Sequence, residues 1–222
     1  MEPKTMLEKM RQALERQPQT ALSEISEAQE GDPFKVLIAT ILSHRTRDEK
    51  TAEAAKNLFK HYASAGDLSK AKPEEIVPLI KSVGFYNVKG KRIIEVARII
   101  NDNYGGKVPD SLDELLKIPS VGRKTANCVL VYAFKRDAIP VDTHVHRVAN
   151  RLGIVHTAKP DETEEGLEEF FPKDSWQAVN DLFVQFGKAI CRPIGPRHEL
   201  CPLASDCEYY QKKTCETLKK PM

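Results

Sequence analysis

Lys124 and Asp142 are the two side chains whose setting points to covalent chemistry. They stand eighteen residues apart in the run IPSVGRKTANCVLVYAFKRDAIPVDTH at 118–144. An amine becomes a nucleophile where its surroundings disfavour the charged form. Lys124 falls in the first turn of an expected helix, where the positive end of the helix dipole and neighbouring Arg123 both work against protonation. A carboxylate such as Asp142 can take or relay a proton and stabilise developing positive charge. The pair therefore suits amine attack on an electrophilic carbon. A second donor set, Cys191, His198, Cys201, Cys207 and Cys215, is rich in metal-ligand types.

Taken singly, a lysine at a helix start is usually a solvated charge, and an aspartate before a helix is usually a cap. The elements around them shift that balance. Pro119-Ser120-Val121-Gly122 is short and rich in Pro and Gly, which makes it a tight turn between helices. Asp113, Leu115 and Leu116 mark a short helix before it, and Thr125, Val129, Leu130 and Ala133 share one face of a helix after it. Such a hairpin aims backbone N–H groups around 121–124 outward from a helix N-terminus, where a phosphate binds. Asp142 stands just before the periodic run Val145, Val148, Ala149, Leu152.

Elsewhere the pattern is helical throughout. Met6, Leu7, Met10 and Leu14, with Leu22 as an extension, give an amphipathic first helix. Asp32-Pro33 caps a helix at 34–43 that is apolar on nearly every side and so belongs in the middle of a helical core. Helices follow at 49–63, from Pro73 to a C-terminal Gly84, around Ile93–Ile100, at 161–171 and at 175–190. VLVYAF is the only strand-like run, and its flanks are helical. Residues 81–98 hold five basic side chains against one acidic, and Phe85 stands among them. That is the composition of a nucleic-acid wedge, in which bases meet the ring while amines track phosphates. The plainer alternative is that Phe85 covers the core after its helix end.

With 222 residues, 41% hydrophobic and 30% charged, the chain suits a globular protein of one large or two small domains. A net charge of only +2 excludes a polycation, so nucleic-acid binding must use a local patch. No apolar run approaches a membrane span, and the charged N-terminus lacks a secretory core, which places the chain in a reducing cytoplasm. Four of the five cysteines lie in the last 32 positions, which in that compartment reads as metal ligation rather than disulfides.

The hairpin followed by GRKTA and then VDTH resembles the endonuclease III family of helix-hairpin-helix DNA glycosylases. The resemblance covers nearly the whole chain and implies an all-α fold of two helical domains flanking a DNA-binding cleft. One would be a six-helix barrel at 26–136 with the helix-hairpin-helix at about 113–134; the other would combine 1–25 with 137–222 and carry the cysteine tail, 191–215. Lys124 and Asp142 fall on the family's catalytic lysine and aspartate, from opposite sides of the cleft. The hairpin usually carries two glycines, and Ser120 replaces the first. Arg45 stands where bacterial members have glutamine, in a turn whose side chain fills the space left by a flipped nucleotide. GFYNVKGKRII is similar to the second intercalating loop, with Phe85 at a position where leucine is usual.

The resemblance implies a base-excision glycosylase and AP lyase acting on oxidised pyrimidines such as thymine glycol in double-stranded DNA; it is expected beside the nucleoid and as a monomer, since a cleft enzyme on a short lesion needs no partner subunit. The expected DNA contacts are Arg45, Phe85, Asn87, Lys89, Ser120, Val121, Gly122, Arg123 and His144. Family members hold a [4Fe–4S] cluster by four cysteines with gaps of six, two and five residues; those gaps recur here with His198 at the second position. The fourth ligand is then His198 or Cys215, with zinc on a Cys3His set as the lesser option. Two other functions stay open: a monofunctional mismatch glycosylase of the same fold, and a non-catalytic hairpin protein in which Lys124 meets phosphate and Asp142 only caps.

Overall fold

The computed structural model describes residues 1–15, 17 and 20–218, in which there are thirteen α-helices, three single 3-10 turns and no strand. The chain divides into two compact units. One comprises Thr20–Ala138, the other Met1–Gln19 with Ile139–Met222. The sequence placed these boundaries at 25/26 and 136/137. The first cut ran through the middle of a helix, and the expected second unit included residues 16, 18, 19 and 219–222, which lie outside those described.

Helix α1 (Pro3–Leu14) buries Met6, Leu7, Met10 and Leu14, as the pattern requires. Leu22 does not extend it. It belongs to a separate helix, α2 (Ala21–Ala28), started by Thr20, whose hydroxyl accepts the Ser23 N–H at 3.3 Å. In the Thr20–Ala138 unit, α3 (Pro33–Ser43) is the central element. Its Leu37, Ile38, Ala39 and Leu42 are fully enclosed, and α2, α4 (Asp48–Phe59) and α9 (Arg123–Tyr132) pack around it. Asp32 begins α3 by accepting the Phe34 and Lys35 N–H groups at 2.9 and 3.1 Å. VLVYAF is helical down to Tyr132, since all its residues from Val129 to Tyr132 are buried in that packing.

Two short helices, α5 (Ala65–Ser69) and α6 (Pro73–Leu79), lead to the long α7 (Tyr86–Tyr104). The α7 helix packs against α6, with Gly90 facing Val77 and Ile76. The hairpin joins α8 (Leu112–Leu116) to α9. In the other unit, α1 packs on α12 (Trp176–Ala189), and α12 on α10 (Thr143–Leu152). Around them lie α11 (Pro160–Phe170) and α13 (Glu208–Leu218). Phe183, Phe186 and Met10 fill that core. No helix among the described residues is long and apolar enough to cross a membrane.

Candidate active site

The hairpin is built as its composition requires. The Val121 N–H closes the turn by donating to the Ile118 carbonyl at 3.1 Å. Ser120 has φ +69°, so the serine occupies the left-handed conformation a glycine adopts freely. Gly122 starts α9 with no side-chain cap. Lys124 is half-buried in the first turn, as expected. Thr125, next to it, is buried and turns its hydroxyl toward His44 Nε2 at 3.2 Å. Burial first, and then the positive charges of Lys124, Lys89 and Arg92, lower the His44 pKa to about 4. A neutral imidazole therefore sits where three cations gather. His44 was not singled out in the sequence; its signal was its place beside Arg45 in a turn that must approach α9.

The expected DNA contacts separate into two groups. Arg45, Phe85, Asn87, Ser120 and Gly122 are exposed, and Arg123 is half-buried. Phe85 is 63% exposed, which removes the alternative that it covers the core. Val121 leaves the set: its N–H is committed to Ile118 and its side chain is buried. Lys89 leaves it too. Its side chain is 4% exposed, and its amine donates to Leu42 O at 2.7 Å, His44 O at 2.6 Å and Thr46 Oγ1 at 2.8 Å. All three ammonium protons are used inside the protein, so none is left for a phosphate. Burial lowers the Lys89 pKa to about 8.

In the other unit, Asp142 is the N-cap of α10. Its Oδ1 accepts the His144 N–H at 2.7 Å and the Val145 N–H at 2.9 Å. Both cap bonds use one oxygen, which leaves Oδ2 for a proton. Capping and catalysis are thus compatible in one carboxylate. The His144 pKa is lowered, chiefly by burial, so the ring is a hydrogen-bonding group rather than a cation for phosphate. Arg147 and Arg151, absent from the expected set, fasten α10 to the cysteine tail. Arg147 donates to Gly187 O and Cys191 O, both at 3.0 Å, and Arg151 to Arg192 O at 2.6 Å and Pro193 O at 3.0 Å.

The tail places two thiols against Arg151. Cys191 Sγ lies 3.5 Å from its guanidinium, and the Cys207 thiol donates to its carbonyl at 3.1 Å. Backbone groups of Leu203 hydrogen-bond Cys201, and those of Tyr209 and Tyr210 hydrogen-bond Cys207. Burial pushes the Cys201 and Cys207 thiols above the ordinary thiol range, and these N–H groups only partly offset it; it is the residue types, three Cys with His198, that make a set able to ligate an iron–sulfur group. The donor chemistry therefore fits such a group. Among the described residues no three His, Cys, Asp or Glu side chains draw together as ligands of a single ion. His198 lies against Tyr210, ring centroids 4.7 Å apart. Cys215 is exposed on α13, eight residues past Cys207, or about 12 Å along the helix axis.

A hairpin delivering a lysine at a helix start, with an exposed aromatic and an exposed arginine on neighbouring turns, defines a class. The family model for the HhH-GPD superfamily base excision DNA repair protein matches residues 38–173. Endonuclease III of Thermotoga maritima is 54% identical over 184 residues, covering 83% of this chain and 86% of that protein. Among solved structures, a trapped endonuclease III–DNA covalent intermediate superposes with a TM-score of 0.82 at 32% identity, covering 95% of this chain and 96% of the other. A non-covalent endonuclease III–DNA complex does so with 0.84 at 33% identity, covering 96% of each chain. The chain belongs to the endonuclease III family of helix-hairpin-helix proteins. Its activity is that of a base-excision-repair DNA glycosylase and AP lyase.

Proposed function

We propose that this enzyme removes oxidised pyrimidines, thymine glycol among them, from double-stranded DNA through a Schiff base on Lys124. The observation that carries the reading is the position of Lys124, half-buried in the first turn of α9 directly after the Ser120–Gly122 turn. Phe85 and Arg45 enter the base stack and the damaged nucleotide leaves it. That exchange costs a few kcal/mol, least for a base that already stacks and pairs poorly, so the cost itself selects damage. Arg45 hydrogen-bonds the orphaned base of the opposite strand, a role that a guanidinium with several donors performs differently from glutamine.

Lys124 Nζ then forms a bond to the sugar C1′ as the base departs with the electrons of the glycosidic bond. Asp142 Oδ2 accepts the proton lost by the amine and stabilises the positive charge passing through the sugar. Ring opening yields the imine, and loss of a C2′ proton expels the 3′ phosphate. An amine is required for that last step; without one the reaction stops at base release.

Cys191, Cys201 and Cys207 would hold a [4Fe–4S] cluster with His198 as fourth ligand, a structural group that folds the tail and presents Arg192 and Arg197 to phosphate. The axial distance to Cys215 favours His198. Cysteines that form no disulfide among the described residues support a reducing cytoplasm, beside the nucleoid, and a single lesion needs no second subunit.

Borohydride trapping on duplex DNA with one thymine glycol tests the reading. Wild-type protein is expected to give a covalent adduct and Lys124→Gln none. Base release without an adduct in wild type would instead make the enzyme monofunctional, and binding with neither would leave a hairpin that only grips phosphate.

A further inference from the structure

Lys89 and Thr46 form a buried joint between the two turns that carry Arg45 and Phe85. The Lys89 amine binds the last carbonyls of α3, at Leu42 and His44, and the Thr46 hydroxyl. Thr46 Oγ1 also accepts the Gly84 N–H at 3.2 Å. Gly84 in turn lies so close to the other turn that a Cβ would stand 3.0 Å from the Arg45 carbonyl. Arg45 therefore sits between two residues that Lys89 holds, and Phe85 follows directly on the one that Thr46 holds.

Both exposed side chains carry a conformational cost. Arg45 has φ +52° and Phe85 φ +59°, left-handed values that a residue with a Cβ adopts only at a cost. Such residues persist only where the surroundings over-determine them. The surroundings here are one saturated ammonium and one hydroxyl. A lysine that holds three acceptors within a turn and a half of backbone acts as a fixed cross-brace rather than as a surface charge.

We propose that Lys89 is a positioning residue: through Leu42, His44 and Thr46 it sets Arg45 and Phe85 in one fixed arrangement, ready to enter the base stack together. The proposal rests on the wedge reading of Arg45 and Phe85. Its function is to lower the cost of nucleotide extrusion by fixing the wedge before DNA arrives, and it leaves amine chemistry at Lys124 untouched.

The test compares two reactions of the full-length protein: single-turnover excision of thymine glycol from duplex DNA, and borohydride trapping on a single-stranded oligonucleotide with one abasic site. Only the first requires a stack to be opened. Lys89→Met is expected to slow duplex excision about tenfold to a hundredfold while single-strand trapping stays within about twofold. Thr46→Val, which removes the shared acceptor but keeps the buried charge on two carbonyls, is expected to show the same split at smaller size. It also guards against a Lys89 variant that fails to fold. Fluorescence of 2-aminopurine beside the lesion reports extrusion directly and should fall in both variants.

Equal loss of both reactions in Lys89→Met, with Thr46→Val unaffected, would reduce the lysine to general support of the fold and overturn the proposal. Unchanged duplex excision in both variants would overturn it as well. Phe85→Ala separates the underlying reading from this one: if that variant excises at the wild-type rate, the wedge itself is wrong and the proposal falls with it. A tenfold loss in Phe85→Ala with no loss in Lys89→Met refutes the brace alone.

Discussion

His44 gives the most direct physical test of how the Lys124 region is built. Its ring is expected to titrate near 4 rather than 6.5, because burial and the charges of Lys124, Lys89 and Arg92 all oppose protonation. Between those two values the unfolded chain binds a proton that the folded chain refuses. Stability is therefore full above pH 6.5 and falls as pH drops toward 4. For one group with these two pKa values, the loss between pH 7 and pH 5 is at most about 2 kcal/mol. The half-buried ring makes that an upper figure.

The titration can be followed by ring resonances in NMR, with each histidine assigned by substitution. Urea unfolding of wild type and His44→Asn at pH 7 and pH 5 supplies the energy; the other five histidines cancel in the comparison of the two proteins. His44→Asn should lose less stability than wild type on acidification. Lys124→Gln removes one of the cations and should move the His44 pKa upward. A ring that titrates near 6.5 in wild type and does not respond to Lys124→Gln would refute the placement of the imidazole among these charges.

Asp142→Asn keeps a capping oxygen, so stability should change by only a few tenths of a kcal/mol while excision falls sharply; Asp142→Ala should lose about 1 kcal/mol as well. Thermal unfolding beside single-turnover kinetics separates the two roles, and equal destabilisation by both substitutions would argue against the cap. Ser120→Gly should stabilise the protein by about 1 kcal/mol, since φ +69° carries no penalty for glycine; an unchanged or lower melting temperature would contradict the strain. His198→Ala should lower iron content and visible absorbance, whereas Cys215→Ser should leave both unchanged; the reverse pattern would make Cys215 the fourth ligand.

The legible part of this protein is the part governed by local pattern. The apolar α3, the hairpin turn and the start of α9 all follow from residue type and spacing, because a buried helix and a Pro/Gly turn are local solutions. The α2 helix does not separate from α1 in the sequence, although Thr20 and Ser23 signal its cap, since eight residues give too short a period. Residues 81–98 carry several basic side chains alike in composition, so the sequence directs Lys89 to phosphate; which of them turns inward depends on α3 and Thr46, more than forty residues away. The hairpin position of Val121 suggests a phosphate contact, but the turn consumes its own N–H. The tail showed its ligand types, while the helix that carries Cys215 away from them is visible only in three dimensions.

Among the described residues five non-glycine side chains adopt left-handed φ, and three of them are Arg45, Phe85 and Ser120. A selection for heat resistance alone would favour glycine at each of the three. At Arg45 and Phe85 it would erase the very groups that face outward, and at Ser120 it would only relax a turn. Laboratory evolution of this enzyme should therefore divide the three positions, letting Ser120 drift to glycine under thermal pressure while Arg45 and Phe85 persist only as long as repair itself is scored.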